Sequence, residues 1–509
     1  MDTTPTGTIM NAVEFILQVG RWGQTHQEAM LTGLIAVPVL LGGARLLLGA
    51  RPAATTTHGS ARWATAREVR QVGLYGQHGV ILGRHGGRLL CDDSETHVLL
   101  VAPSRSGKGT GVIIPTLLTW RESAIILDPK DGENYDVTAP WRAQHAKNQI
   151  AYFTPCRTPH ACINVLDTIR RGQPSEVGDT QIIAHSLVAP EKMARESSTS
   201  LHFRELAALI LTASMLHVTY TVPGASLARV WYFLTQQHPT LQAVLKTLRT
   251  TPHHTAGVHQ TIATLTTALS NITGDRELSA VWSTAIRPLV LYNDPLIARS
   301  TDTSSFALED LQYGTRPMTL YLVAPSPRSL TRLHPLYRVV LDVAMARLME
   351  HKVRSWQHRL LLCADELPAH GYIHAIDQGA ADMAGYGMKG LFVAQDIEQV
   401  EEVYGEKNNL WGNTEIKVFH APTNDQTARR IADRLMGEGT VSNPTEQHQG
   451  GFLGRRSTSY GHVGRAMLTH DEVMELPAHL QIIRMKGLKP ILAHKIDYRR
   501  DPAFAGQTA

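Results

Sequence analysis

The chain has 509 residues, with 49 Lys and Arg against 45 Asp and Glu and a formal net charge of +4. This length exceeds what one hydrophobic core supports, so we expect two or three domains. The small positive charge permits contact with nucleic acid but does not argue for it, and the four cysteines lack metal-ligand or disulfide spacing, which is typical of a reduced, cytosolic protein.

Residues 1–57 differ from the rest because they contain no Lys and hold a long apolar run at residues 31–50. A helix of ~20 residues crosses the ~30 Å hydrocarbon core of a bilayer, so this run predicts a membrane span. The four arginines between residues 51 and 70 place its C-terminal side in the cytoplasm. A buried soluble helix and a signal peptide are the alternatives, and the weaker run at residues 8–20 is either a second span or an interfacial helix.

Short β-rich pieces lead into the apolar run at residues 98–101, which predicts a strand followed by a glycine-containing loop and a helix over residues 111–118. This order is typical of a nucleoside triphosphate site, because glycines let backbone N–H groups face the phosphates and Lys108 reaches the outer ones. Ala102 and Gly109 depart from the common pattern, so either Thr110 or water is the first magnesium ligand. The alternative to a nucleotide site is an ordinary glycine turn. The candidate phosphate-binding residues are Ser104, Arg105, Ser106, Gly107, Lys108, Gly109 and Thr110.

A second apolar strand over residues 124–127 ends at Asp128, which is either an active-site carboxylate or a turn-forming cap. From residue 179 to residue 285 the strand signals disappear and helical periodicity takes over. This predicts an all-helical domain inserted into an α/β domain, with surface helices of the main domain as the alternative.

A third apolar strand, residues 360–363, leads to Asp365 and Glu366. An acidic pair after a buried strand predicts the second half of the site, in which Asp365 holds Mg²⁺ and Glu366 polarises the attacking water. We expect this strand and the one before Lys108 to be adjacent in the sheet, so that the two loops hold one Mg-nucleotide between them. Another strand ends at Gln395, which senses the outer phosphate or positions water, unless it is a solvent-facing strand end. Residues 439–460 predict a mobile loop, and residues 482–485 and 491–493 a last strand pair.

Seven stretches in this order resemble the type IV secretion coupling proteins, the TraG-like ATPases of bacterial conjugation. They are HGSARWAT, APSRSGKGTGVIIPTLLTW, DPKDGENYDVTAPWR, WSTAIRPLVLYNDP, CADELPAHG, AGYGMKGLFVAQD and FHAPTNDQTARRIADRL. The resemblance implies an α/β fold: a RecA-like P-loop nucleotide-binding domain with an inserted all-helical domain and an N-terminal transmembrane anchor. The expected boundaries are residues 1–57 for the anchor, 58–178 and 286–509 for the nucleotide-binding domain, and 179–285 for the all-helical domain.

The resemblance also implies a homohexamer at the bacterial inner membrane, with most of the chain in the cytoplasm and each nucleotide site at a subunit interface. It implies ATP and Mg²⁺ as cofactors, and the relaxase or relaxosome, single-stranded DNA and channel components as partners. Recruitment of the relaxosome and ATP-driven delivery of single-stranded DNA to the channel follow as the expected function. The alternatives are a receptor that delivers protein effectors without pumping DNA and a chromosome translocase of the FtsK type.

Carried onto this chain, the resemblance makes Lys108, Glu366 and Gln395 the catalytic residues and Asp365 and Thr110 the metal ligands. Sites of this kind usually take an arginine from the neighbouring subunit. The candidates for that arginine are Arg338, Arg429 and Arg430. The DPKDGEN turn is one residue longer than the family's usual D-x-K-G-E-N, which leaves the roles of Lys130 and Glu133 open.

Overall fold

The computed structural model describes residues 60–157, 161–192, 197–237, 240–272, 274–351, 354–448 and 456–507. The expected membrane anchor lies outside the described residues. Two compact units are present, a main body formed by residues 60–439 and 465–509 and a smaller unit whose described part is a two-stranded ribbon.

The described residues contain strands β1 (Val80–His85), β2 (Arg88–Asp92), β3 (Val98–Val101), β4 (Ser123–Asp128), β5 (Gln149–Phe153), β6 (Met318–Val323), β7 (Leu360–Ala364), β8 (Met388–Ala394), β9 (Ile416–Phe419), β10 (Glu438–His448), β11 (Arg456–Ala466), β12 (Leu480–Met485) and β13 (Ile491–His494). All but β10 and β11 form one sheet in the order β2-β1-β13-β12-β9-β3-β8-β7-β4-β6-β5. The strands from β9 to β5 are parallel, and β12, β13, β1 and β2 extend the sheet in antiparallel pairs.

The central parallel strands form because their residues are mostly apolar on both faces. Every residue of β3, β4, β6, β7, β8 and β9 is buried, which is the pattern of a parallel sheet covered by helices on two sides. Side chains alternate between two cores: Leu99 and Val101 of β3 join one cluster, and Val98 and Leu100 join the other.

The described helices are α1 (Ala66–Gln71), α2 (Gly109–Thr119), α3 (Glu133–Gln144), α4 (Glu176–Val188), α5 (Ser198–Thr221), α6 (Leu227–Tyr232), α7 (Leu241–Thr250), α8 (Gln260–Ser270), α9 (Asp275–Ile286), α10 (Pro295–Ser300), α11 (Asp310–Tyr313), α12 (Pro327–Met349), α13 (His374–Gly379), α14 (Ile397–Tyr404), α15 (Asn409–Asn413), α16 (Asp425–Arg430) and α17 (His470–Met474). Short 3₁₀ or π-helical turns lie at residues 165–168, 233–237, 287–293, 367–370, 383–386, 431–436 and 502–504.

Between β5 and β6 the described chain is helical, beginning with α4 and containing no named strand. Its central helix, α5, is the one described helix that is long and apolar enough to cross a bilayer by length and composition. Most residues from Ala207 to Val218 are buried, and α5 packs against α4, α8 and α9. Helix α5 therefore forms the core of the helical region.

Two expectations near the C-terminus have different outcomes. The predicted last strand pair is confirmed, because β12 and β13 pair in antiparallel fashion with Ile483 opposite Ile491. The predicted loop over residues 439–460 is wrong in part, since β10 and β11 overlap both of its ends. These two strands pair with each other. Their residues are mostly polar, so the sequence lacks the alternation of apolar and polar residues that would predict a strand.

Parallel strands bring their carboxyl ends to the same edge of a sheet, and ligands of such sheets bind at that edge. The loops after β3, β4, β7 and β8 all leave from this edge. The predicted site residues lie in these loops.

Candidate active site

The loop after β3 turns sharply into α2. Arg105 and Gly107 have φ values of 61° and 89°, a backbone region that glycine enters freely and other residues enter at a cost. Helix α2 begins at Gly109 with a π-helical turn to Ile113. The first amides of a helix have no partner within it and lie at the positive end of its dipole, so this helix start suits a phosphate.

Lys108 lies beside the acidic pair at the end of β7. Its Nζ atom is 3.1 Å from Glu366 Oε1 and 3.8 Å from Asp365 Oδ1, and its side chain is only 5% exposed. We expected β3 and β7 to be neighbours, and this expectation is wrong because β8 lies between them. Strands two places apart are about 10 Å apart; the loop after β3 and the long Lys108 side chain cover that distance.

Glu366 stands at the centre of the polar contacts. Its φ of 53° is a strained value for a residue with a side chain. Burial acts to raise the pKa of this carboxyl, but Lys108, Lys130 and a hydrogen bond from Gln395 outweigh it, so the pKa lies below its ordinary value. Glu366 is therefore ionised at neutral pH.

Gln395 connects Glu366 to the loop that follows β3. Its Nε2 atom donates to Glu366 Oε1 at 3.4 Å, and its Oε1 atom accepts from Ser104 Oγ at 3.2 Å. The side chain is partly buried at the end of β8. This position between two loops differs from that of a solvent-facing strand end.

Asp365 is almost fully buried, with a side chain that is 2% exposed. Its Oδ2 atom accepts from Lys130 Nζ at 3.0 Å, and its backbone carbonyl lies 3.2 Å from His370 Nε2. Among the described residues, none donates a hydrogen bond to its Oδ1 atom. A buried carboxylate oxygen that lacks a donor fits a hard cation, and Mg²⁺ commonly takes one or two protein oxygens together with water and phosphate.

Thr110 and Gly109 lie at the start of α2. The Thr110 hydroxyl donates to Gly107 O at 3.4 Å, a long contact that a better acceptor can replace. At Gly109 an added Cβ would meet no described atom within 4 Å. Gly109 stands where a metal-binding hydroxyl is usual, and this position has room for a larger side chain.

Asp128 shapes the turn that follows β4. Its Oδ1 atom accepts from the amide of Lys130 at 3.2 Å, and its Oδ2 atom accepts from the amides of Asn134 at 2.9 Å and Tyr135 at 3.3 Å. Burial, opposed by these amides and reinforced by the charge of Asp365, raises the pKa of Asp128 to about 6. Of the two interpretations of Asp128, these contacts support the turn-forming cap.

The sequence did not identify two residues that contact the site. Lys130, whose role was left open, lies 3.0 Å from Asp365 and 3.7 Å from Glu366. His420, in the quoted stretch that begins FHAPTND, accepts from the Ser106 hydroxyl through Nδ1 and donates to Gln481 Oε1 through Nε2, each at 3.0 Å. Burial, with the nearby charge of Lys495, lowers the pKa of His420 to about 3, so the ring stays neutral and holds the loop.

The three arginine candidates lie in different environments. Arg338 is 2% exposed and donates to the carbonyls of Leu187 and Pro190 in its own chain, which argues against a role in a neighbouring subunit. Arg430 pairs with Glu401. Arg429 has a side chain that is 59% exposed and pairs with Asp425 at 2.8 Å; exposed pairs of this kind are weak and exchange partners readily.

Comparison with known proteins gives the family. The family model described as Type IV secretory system Conjugative DNA transfer matches residues 61–509. A conjugal transfer protein TraG of Escherichia coli is 31% identical, over 89% of this chain and 78% of its own length. A VirD4 protein of Agrobacterium fabrum (strain C58 / ATCC 33970) is 27% identical, over 87% of this chain and 66% of its own length.

Two solved structures show the same fold. The bacterial conjugative coupling protein TrwBdeltaN70, in a trigonal form with sulphate, aligns with a TM-score of 0.67 at 17% identity, covering 90% of this chain and 99% of that one. The plasmid coupling protein TrwB in complex with ADP and Mg²⁺ aligns with a TM-score of 0.66 at 16% identity, covering 90% and 98%. Because the family model spans nearly all of the described residues and the TraG relative aligns over most of both chains, this chain belongs to the type IV secretory system conjugative DNA transfer family.

Proposed function

We propose that the protein is a membrane-anchored ATPase that recruits the relaxosome and drives single-stranded DNA, with attached protein, to a type IV secretion channel. The observation that carries the proposal is the contact of Lys108 with Asp365 and Glu366 at the carboxyl edge of the sheet. A phosphate loop facing a buried acidic pair is the arrangement that hydrolyses nucleoside triphosphates.

The residues divide the chemistry among them. Residues 104–110 bind the phosphates through the loop and the start of α2, and Lys108 binds the outer ones. Asp365 and Thr110 would hold Mg²⁺, and the bound ion would neutralise part of the negative charge of the phosphates. Glu366 polarises the attacking water, and Gln395 reports the state of the phosphates because it contacts both Ser104 and Glu366.

The architecture follows the same proposal. Residues 31–50 span the inner membrane, residues 8–20 form a second span or an interfacial helix, and the bulk of the chain lies in the cytoplasm. The α/β part is RecA-like, with a helical domain at residues 179–285 between its two parts. Six copies assemble into a ring in which the neighbouring subunit completes each nucleotide site, and relaxase and channel components bind this ring. The names of the TraG relative and of the TrwB structures, which speak of conjugal transfer and coupling, support this assignment.

The test is ATP hydrolysis by full-length, detergent-extracted protein with and without single-stranded DNA. We expect DNA to stimulate hydrolysis, and Lys108→Ala to abolish it because the lysine is the central phosphate contact. Lys407→Ala, which removes an exposed lysine after α14, is the matched control and keeps wild-type turnover. Wild-type turnover in Lys108→Ala would refute the site, whereas hydrolysis that ignores DNA together with tight binding of an effector protein would favour the protein receptor.

A further inference from the structure

Four charges meet at the site and cancel one another: Lys108, Lys130, Asp365 and Glu366, here called the four-charge cluster. Lys108 is 3.1 Å from Glu366 and 3.8 Å from Asp365, and Lys130 is 3.0 Å from Asp365 and 3.7 Å from Glu366. Among the residues that the structure describes, no other Lys or Arg lies within ion-pair distance of either carboxylate. Each lysine therefore neutralises both carboxylates in part.

The two lysines reach the carboxylates from opposite sides. In the sheet order, β3 and β8 lie on one side of β7 and β4 lies on the other. Lys108 precedes α2, at the positive end of a helix that faces the phosphates, whereas Lys130 belongs to the turn after β4. The two lysines therefore need not respond alike when a nucleotide arrives.

The turn that carries Lys130 is tied to the sheet. Asp128 accepts from the Lys130 amide at 3.2 Å, and the amide of Asp131 donates to Ala324 O at 3.1 Å, just beyond β6. The Lys130 side chain is 35% exposed, so its amine can shift between the carboxylates while its backbone stays fixed. Lys130 is thus held on the carboxylate side of the cluster.

Binding of a nucleotide changes the charge balance of the four-charge cluster. The phosphates attract Lys108, which must then give up its 3.1 Å contact with Glu366. With Lys108 withdrawn, Asp365 and Glu366 would be left as adjacent like charges in a largely buried place, which is costly. A second cation that already contacts both carboxylates removes this cost.

We propose that Lys130 is a positioning residue, a resident counter-charge that holds Asp365 and Glu366 and thereby releases Lys108 to the phosphates. The inference rests on the proposed function, because it takes the loop around Lys108 to be the phosphate site. It differs from a direct phosphate contact by Lys130, since it acts through the carboxylates. The two roles predict different effects of neutralising Glu366 on the loss of nucleotide affinity that follows a change at Lys130.

The test measures the affinity of full-length, detergent-extracted protein for fluorescent ADP in EDTA, so that neither hydrolysis nor metal binding enters the readout. Lys130→Met keeps much of the side-chain length and removes the charge. We expect it to weaken ADP binding about tenfold, because Lys108 alone must then neutralise two carboxylates. Lys130→Arg should stay within about twofold of wild type, since the charge is retained.

The matched control is Asp131→Asn in the same turn. Asp131 has a φ of 59° and pairs with the exposed Arg157 at 2.5 Å, and asparagine tolerates this backbone conformation. We expect its ADP affinity and its melting temperature to remain at wild-type values. If Lys130→Met does not fold, as judged by its melting curve, Lys130→Gln takes its place in the same measurements.

The decisive comparison repeats Lys130→Met in a Glu366→Gln background. With Glu366 neutral, Lys108 faces one carboxylate, so the loss on changing Lys130 should shrink at least threefold. A loss of the same size in both backgrounds would make Lys130 a phosphate contact and overturn the proposal, as would unchanged affinity in the single variant. Failure of the wild-type protein to bind ADP or to hydrolyse ATP would instead refute the proposed function.

Discussion

Glu366→Gln should separate the binding of ATP from its hydrolysis. The substitution keeps the size of the side chain and removes its charge, so the turn at this strained position keeps its shape. The amide oxygen can still accept from Lys108 Nζ and Gln395 Nε2, which lie 3.1 Å and 3.4 Å from the carboxylate oxygen. We expect this variant to bind ATP and to cleave it very slowly.

The magnitudes follow from the contacts. Loss of a positioned general base costs about 10²–10⁴-fold in rate. The Glu366 side chain is 22% exposed, so its ion pair with Lys108 is only partly desolvated. Removing that pair, worth about 1 kcal/mol, frees Lys108 for phosphate and should tighten nucleotide binding about fivefold.

The assay combines phosphate release with titration of a fluorescent ATP analogue on the same preparation. Glu406→Gln removes an exposed carboxylate after α14 and serves as the matched control, with unchanged rate and affinity. If Glu366→Gln fails to bind ATP while its melting temperature is preserved, Glu366 holds the nucleotide and does not activate water. Hydrolysis at the wild-type rate would place the general base elsewhere.

Three further outcomes test the site and the anchor. Gly109→Ser should fold, because its Cβ has free space, and should strengthen the Mg²⁺ dependence of ADP binding, because its hydroxyl occupies the usual ligand position. A magnesium titration of ADP binding measures this dependence, and a weaker dependence than in the wild type would contradict the expectation. His420→Ala should raise the KM for ATP about tenfold with little change in kcat, since it releases the Ser106 hydroxyl from its 3.0 Å contact; steady-state kinetics alongside melting curves would expose an effect on folding alone. Deletion of residues 1–57 should yield a protein that stays soluble without detergent and oligomerises poorly, and size-exclusion chromatography with light scattering would show a stable hexamer if this expectation is wrong.

The interior of the sheet illustrates what local sequence can predict. Strands β3 and β7 are continuous apolar runs, and β4 and β8 contain apolar runs at residues 124–127 and 391–394; the strands predicted at these places are confirmed. Buried strands of a parallel sheet need apolar residues on both faces, so they are visible without any knowledge of their neighbours. The polar ribbon of β10 and β11 has no such signature, and the sequence suggested a loop there.

The order of the strands is a different kind of information. We expected the strands before Lys108 and Asp365 to be adjacent, and β8 separates them. Pairing between strands far apart in the chain depends on how helices fill the space on each face, and no short window of residues records this. The same ordering gives Gln395 its place between Ser104 and Glu366.

The amino-acid sequence by itself determined the glycine-containing loop with Lys108, the acidic pair Asp365 and Glu366, and the strand that leads to each, because these features are local and depend on chemistry that few residue types supply. Only the tertiary structure decided that Lys130 faces the acidic pair and that His420 holds Ser106. Lys130 is 235 residues from Asp365 and His420 is 314 residues from Ser106. An amine or an imidazole acquires such a partner only when the sheet closes the distance, so its role depends on the packing of the whole domain.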